Sequence, residues 1–260
     1  VIRAMKFYGN PSSYNDLGRK AAKELTIART KIARFLGAHP DEIVFTSSGS
    51  EANNMAIMGA ALIAPIKKST IITTPTEHLS ILEPLKLLNK NGFKRIFIKI
   101  DSSGFVDLRD LLLKINDKTL LISVMYANNE IGTIQPIAKI GKMISSFREK
   151  NKSKFPLFHV DACQAVEHLN SNANYLKVDA LTFNGSKIYG PRGIGVLYIR
   201  RGVEMAPVIT GGGQERGLRA GTENLPAILG LAKAVELVNK KETDRITGLR
   251  DYFIDKIKQI

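Results

Sequence analysis

The chain contains one cysteine, Cys163, and no tryptophan. A single cysteine cannot close an internal disulfide or build a thiolate metal cluster, so no metal site is expected and a reducing compartment fits. Acidic side chains are scarce as well: 24 stand against 38 lysines and arginines, for a formal charge of +14. A basic excess can mark a polyanion binder, and that remains a competing reading. The lysines, however, are spread along the whole chain. The densest clusters, Lys150-Asn151-Lys152-Ser153-Lys154 and Lys240-Lys241, carry no interleaved aromatics. The charge therefore reads as a solvated surface that attracts small anions, with no nucleic acid as partner. Long apolar runs are missing too. The longest uncharged one, Met55 to Ile66, is too short to span a bilayer. No basic-then-apolar signal segment opens the chain. Together these absences point to a cytoplasmic protein with no membrane partner.

What is present is material for a full core: 260 residues, 44% of them hydrophobic and 24% charged. Leu17, Ala21, Leu25, Ala28, Ile32 and Phe35 step by three or four, which predicts an amphipathic helix capped by Ser13 or Asn15 and ended by Gly37. A short buried strand follows over 42–46, then a helix over 51–64. The alternation continues with strands at 70–74, 94–98, 120–125, 157–160, 180–183 and 194–199. Helices are expected at 80–91, 107–115, 137–150 and from about Pro226 onward. This pattern specifies an α/β fold with a mainly parallel sheet and helices on both faces.

In such folds ligands sit just outside the carboxyl ends of the strands, so the residues after each strand carry the functional argument. Ser47-Ser48-Gly49-Ser50 turns into a helix whose free N–H groups, with the Ser50 hydroxyl, can seat a phosphate. Alone, it also reads as a serine-capped helix that binds nothing. His78, the amide pair Asn128-Asn129, Asp161 and Lys187 follow four other strands. Asp161 comes directly after buried apolar residues and needs a partner, either a ligand cation or a protein donor. Each residue has a bland reading by itself. Jointly they put a phosphate seat, a histidine, amides, an aspartate and a lysine on one rim, and this is the set that a pyridoxal phosphate site requires.

The sequence resembles the cysteine desulfurases of the class V aminotransferase family. The matching segments include Gly9-Asn10-Pro11-Ser12-Ser13, Glu42-Ile43-Val44-Phe45-Thr46-Ser47 with Glu51 and Asn54, and Thr76-Glu77-His78. They continue through Asn128-Asn129-Glu130-Ile131-Gly132, His159-Val160-Asp161-Ala162 with Gln164, and Lys187-Ile188-Tyr189-Gly190-Pro191. Gly211-Gly212-Gly213-Gln214-Glu215-Arg216-Gly217, running to Arg219, Gly221 and Thr222, completes the set. The resemblance implies a seven-stranded-type sheet like the large domain of aspartate aminotransferase, with pyridoxal 5'-phosphate as cofactor. It implies that Lys187 carries the cofactor covalently, and that His78 stacks on its ring and helps move protons. Asp161 would pair with the ring nitrogen, and Asn129 and Gln164 would address the ring hydroxyl and its surroundings. Gly49, Ser50 and the turn Asn184, Gly185 and Ser186 would hold the phosphate. Thr222 would reach the phosphate of the second subunit of a homodimer. The implied reaction converts L-cysteine to L-alanine, with the sulfur held as an enzyme persulfide and passed to an acceptor protein for iron–sulfur cluster or thionucleotide synthesis. A selenocysteine lyase, or another class V lyase or aminotransferase, is the alternative.

Departures from the family pattern carry their own expectations. Cys163 does not match the family's catalytic cysteine, which lies in a loop beyond Ile260, so Cys163 is expected to be a packed residue beside the cofactor. Relatives often have Ser-Gly-His-Lys where this chain has Asn184-Gly185-Ser186-Lys187, and the lost histidine is expected to weaken cofactor retention by about 1 kcal/mol or less. The helical stripe Ile246, Leu249, Phe253, Ile257, Ile260 stops without a cap. The expectation is a fragment, with residues 1–240 as an N-terminally incomplete cofactor-binding domain and 241–260 as the start of a small domain. Such a piece is expected to be incompetent for turnover.

Overall fold

The computed structural model of the chain describes residues 1–65 and 69–260; the end of the apolar run at Ile66 lies outside them. Helix α1 (Asp16–Phe35) begins where Asn15 Oδ1 accepts the Gly18 N–H at 2.8 Å. Of the two expected caps, Asn15 is therefore the one used. The helix buries Ala21, Leu25, Ala28 and Ile32, four members of the stripe read from the sequence. Strand β1 (Ile43–Thr46) leads into α2 (Gly49–Leu62), and β2 (Thr70–Thr73) into α3 (Leu79–Lys90). Next come β3 (Lys94–Phe97), α4 (Leu108–Lys114), β4 (Thr119–Met125), α5 (Ile137–Asn151) and β5 (Leu157–Asp161). The short α6 (Ala173–Leu176), unseen in the sequence pattern, precedes β6 (Ala180–Asn184) and β7 (Gly195–Ile199).

The expected α/β sheet forms. Its seven strands lie in the order β1-β7-β6-β5-β4-β2-β3. Strands β3, β2, β4, β5 and β6 are mutually parallel, while β7 is antiparallel to both of its neighbours. Strand β1 therefore points the same way as the parallel set, and the carboxyl ends of six strands share one rim. Helices α2 and α3 cover one face through Ala52, Met55, Ile57, Ile81 and Leu85. Helices α1, α4, α5 and α7 (Leu225–Leu237) cover the other around Phe158, Val160 and Phe183. Strands β4 and β5 are buried along their whole length, because both faces of the sheet are covered.

The closing helical stretch is two helices rather than one. Helix α7 stops at Val238, and Asn239 caps a new helix, α8 (Lys240–Ile257), by accepting the Glu242 N–H at 3.0 Å. An asparagine side chain competes well for helix N–H groups, which is why the break falls there. Helix α8 buries none of its residues against the rest of the chain. Among the described residues, no helix is long and apolar enough to cross a membrane.

Candidate active site

Asp161 is the last residue of β5, and its position follows from strand alternation. Phe158 and Val160 enter the core on one face, while His159 and Asp161 face α2 and α3. The Asp161 side chain is 2% exposed. Its Oδ2 accepts from Asn53 Nδ2 at 2.7 Å, and its Oδ1 from the Cys163 N–H at 3.0 Å. Both donors are neutral. No cation pairs with this carboxylate among the described residues, so a buried charge stands without a counter-charge. One residue pair below it, His159 bonds Ser123 Oγ at 2.9 Å and Thr182 Oγ1 at 3.0 Å, and burial pushes its imidazole down to about 4. The ring is neutral at ordinary pH and offers Asp161 no compensation.

Helix α2 starts beside this carboxylate. Ser48 Oγ accepts the Glu51 N–H at 3.1 Å, and the first backbone bond of the helix runs from Ala52 N to Ser48 O. The N–H groups of Gly49 and Ser50 precede these bonds and have no helical acceptor. Gly49 is confined as well. A β-carbon there would lie 2.7 Å from Cys163 Sγ and 2.8 Å from Asn184 Nδ2, closer than side chains allow. Glu51 holds the turn from behind: burial pushes its carboxyl up, but its bonds to Arg219 and Ser47 outweigh that and keep it below its usual range.

Lys187 ends a 3₁₀ turn (Gly185–Lys187) that follows β6, capped by Asn184, whose Oδ1 accepts the Lys187 N–H at 3.2 Å. Asn184 Nδ2 reaches Cys163 Sγ at 3.4 Å. His78 caps α3, with Nδ1 accepting the Ser80 N–H at 3.1 Å. Next to it, Glu77 is buried. Its Oε1 accepts from Thr74 Oγ1 and the Met125 N–H, while Oε2 has no partner, and burial lifts the carboxyl to about 8.

These elements converge on one cavity of about 120 Å³. Gly49, Ser50, His78, Asn129, Asp161, Gln164, Asn184 and Lys187 all line it, as the sequence reading expected of one rim. Gly185 and Ser186 are not among its lining residues. Gly185 is packed beneath the turn, and the Ser186 hydroxyl donates to Asn184 Oδ1 at 3.0 Å. Thr222 lies in a separate depression with Phe45, Glu215 and Arg219, away from this chain's own cavity. Sequence reasoning missed Asn53, Ser80 and Met125, which also line the cavity. Asn53 was legible in principle: it falls four residues after Gly49 on a helix, and therefore on the same face. Cys163 is at the cavity wall beside Asp161, where the sequence reading put it. Burial, then the Asp161 charge, raises its thiol well above the usual range, so it is a neutral S–H.

The donor set can be matched to a ligand from what remains unengaged. Among the described residues, no hydrogen bond or ion pair engages the Lys187 amine, the Ser50 hydroxyl or the amides of Asn129 and Gln164. A buried acceptor without a cation, a primary amine, two free amides and an open helix N-terminus fit pyridoxal phosphate. Its ring nitrogen is a cation when protonated, its aldehyde takes an amine, and its phosphate suits a helix start. No cluster of three or more candidate metal ligands occurs among the described residues.

Comparison with known proteins agrees with this geometry. The chain belongs to the aminotransferase class-V family, whose model matches residues 2–260; this is a family of pyridoxal-phosphate-dependent enzymes. Within it, the chain is similar to proteins described as cysteine desulfurases. It is 46% identical over 255 residues to cysteine desulfurase IscS of Dictyoglomus turgidum, covering 97% of this chain and 63% of that protein. It is 44% identical over 254 residues to cysteine desulfurase IscS of Clostridium botulinum, covering 96% and 62%. Among solved structures, a NifS-like protein superimposes with a TM-score of 0.91 at 40% identity, covering 98% of this chain and 69% of that one. A structure described as SspA in complex with cysteine gives 0.83 at 37% identity, covering 94% and 70%. The chain thus spans about three-fifths of the length of the curated relatives it matches.

Proposed function

We propose that the chain is the cofactor-binding part of a cysteine desulfurase that takes sulfur from L-cysteine, leaves L-alanine and passes the sulfur to an acceptor protein. The observation that carries this reading is the unengaged Lys187 amine sharing one cavity with a buried Asp161 that lacks a counter-cation. Bound pyridoxal phosphate supplies an electron sink for the bond broken at the substrate's amine-bearing carbon. Lys187 holds the cofactor's aldehyde carbon. Asp161 keeps a proton on the ring nitrogen by offering a charge that burial has made costly to leave unmatched. His78 covers the ring, and Asn129 and Gln164 orient its hydroxyl edge. The N–H groups of Gly49 and Ser50, with Asn184, would take the phosphate, while Gly185 and Ser186 shape the turn that carries Asn184 and Lys187. Thr222, outside its own chain's cavity, reaches the phosphate of a second copy in a homodimer.

Cys163 does not supply the sulfur-accepting thiolate. Only the deprotonated form attacks sulfur, and burial beside Asp161 disfavours it. It is the only cysteine among the 260 residues, so the nucleophile of this reading lies outside them. Residues 1–240 form the large domain of this proposal and 241–260 open a second one, in keeping with the unburied α8. The compartment is the cytoplasm.

The full-length protein, incubated with pyridoxal phosphate, is expected to develop an absorption band near the visible edge, lost in Lys187→Ala. With an added thiol reductant to release the persulfide sulfur, L-cysteine should then yield alanine and sulfide in equal amounts. Turnover of L-selenocysteine with L-cysteine inert would make the protein a selenocysteine lyase instead. A colourless protein whose RNA affinity falls steeply with salt would favour the polyanion reading. Robust turnover by residues 1–260 alone would show that Cys163 is the nucleophile after all.

A further inference from the structure

Asp161 ends one strand and His78 follows another, yet two side chains connect them. Asn53, 1% exposed, donates from Nδ2 to Asp161 Oδ2 at 2.7 Å and to Ser80 Oγ at 2.8 Å. Ser80 Oγ lies 2.7 Å from His78 Nδ1, the nitrogen that also accepts the Ser80 backbone N–H. The directions of these links follow from the groups that can only donate or only accept. An ionised carboxylate accepts and cannot donate, so Asn53 must present its amino group; the flipped amide would set oxygen against oxygen. Both N–H bonds of that group are then used, and Asn53 Oδ1 is left buried without a partner among the described residues. An orphaned buried oxygen in a helix face asks for a reason, and holding Asp161 is one. The Ser80 backbone N–H needs Nδ1 as its acceptor, so the Ser80 hydroxyl, which can accept from Asn53 and still donate, gives its own proton to Nδ1. That nitrogen receives two donors, so in the neutral ring the proton sits on Nε2. Nε2 has no partner among the described residues, and His78 lines the cavity.

We propose that Asn53 and Ser80 are positioning residues through which the ionised Asp161 sets the tautomer of His78, so that Nε2 presents an N–H donor to an acceptor atom of the cavity's occupant. This deepens the proposed function and rests on it for the identity of that occupant. The relay itself belongs to the chain. It also limits what His78 can do: a ring held this way carries its proton on Nε2 and has no lone pair there to take another. Proton uptake at that face needs a break in the Ser80 contacts first.

The test is nitrogen NMR of the full-length protein carrying ¹⁵N-histidine, without cofactor, with the His78 signals assigned through His78→Gln. The wild-type protein should show a pyrrole-type Nε2 and a pyridine-type Nδ1. Ser80→Ala and Asn53→Leu should each raise the Nδ1–H form several-fold, and Ser80→Thr, which keeps the hydroxyl, should restore the wild-type ratio. The relay is overturned by a wild-type His78 that carries its proton on Nδ1, or by a ratio that Ser80→Ala leaves unchanged. Should Asn53→Leu fail to fold, the Ser80→Ala and Ser80→Thr pair decides alone. Because the measurement needs no cofactor, a protein with the expected tautomer but no absorption band on adding pyridoxal phosphate would sink the functional reading and spare the relay. The opposite pair of results would do the reverse.

Discussion

At the amino ends of the parallel strands lies a cavity of about 440 Å³, and at their carboxyl ends one of about 120 Å³. The larger is lined by Arg148, Arg200, Arg201 and Asp179. Its arginines are all engaged with the protein. Arg148 clasps Asp179 and the Pro156 carbonyl, Arg200 donates to the Val178 carbonyl, and Arg201 pairs with Asp41. Asp179, for its part, also accepts the Phe158 N–H at 2.7 Å. The smaller cavity holds the opposite inventory: an aspartate with neutral donors only, a lysine with no acceptor and two idle amides. Volume alone would favour the end whose polar groups are already paired. What separates the two rims is whether the buried polar groups already satisfy one another.

Substitutions at matched positions put this contrast at risk. Asp179→Ala should cost most, about 3–5 kcal/mol of stability in denaturant unfolding, because it leaves the half-buried Arg148 unpaired and the Phe158 N–H without an acceptor. Cofactor affinity of the folded variant should not change. Asp161→Asn should do the reverse. Stability should move by about 1 kcal/mol or less, since no cation is orphaned and Asn53 can turn its amide, while pyridoxal phosphate affinity should fall about a hundred-fold, or on the order of 2.7 kcal/mol. A large loss of stability in Asp161→Asn with unaltered affinity would erase the distinction between the rims.

Glu77 sharpens the comparison through pH. Burial lifts its carboxyl to about 8 from an ordinary value of 4.5, so between those limits the folded chain holds a proton that the unfolded chain has released. The folded state binds more protons in that window. Stability from this group therefore falls as pH rises through it and levels off above about 8. Glu77→Gln removes the titration, and the variant should gain on the wild type by on the order of 2 kcal/mol between about pH 5 and about pH 8. Paired denaturation curves at the two pH values would measure it, and a pH-independent gap would show that Glu77 does not titrate there. The smallest effect belongs to Arg201→Ala at the opposite rim. Its ion pair with Asp41 is half exposed on both sides, so the change should be within about 1 kcal/mol and shrink further in salt.

Much of this was readable before any coordinates. Alternating strand and helix patterns located all seven strands to within a residue or two, because all but the edge strand β3 are short buried runs bounded by turn residues. The rule that ligands gather at carboxyl ends of strands then selected His78, Asn129, Asp161 and Lys187 from a long list of polar side chains. The misses have physical causes. Helix α6 is one turn long and leaves no periodic signature. The break at Asn239 was hidden because helical spacing of apolar residues resumes in α8, although none of its residues is fully buried. Asn53 was overlooked beside Asn54, although the two face different ways: Asn54 bonds back to the Ser50 carbonyl, while Asn53 turns inward to Asp161.

The order of residues by itself determined the class of fold, the sheet edge where these polar groups gather and the kind of cofactor that suits them. These follow from local spacing and from the chemical types of the side chains. Only the tertiary structure decided that β7 wedges in antiparallel between β1 and β6, that Asp161 is buried without a cation, and that the protons of Asn53 and Ser80 run toward His78. Those depend on which distant segments meet, and on the loss of water where they do. Hydrogen-bond direction and the charge state of a carboxyl are properties of a packed neighbourhood, which no one-dimensional pattern contains.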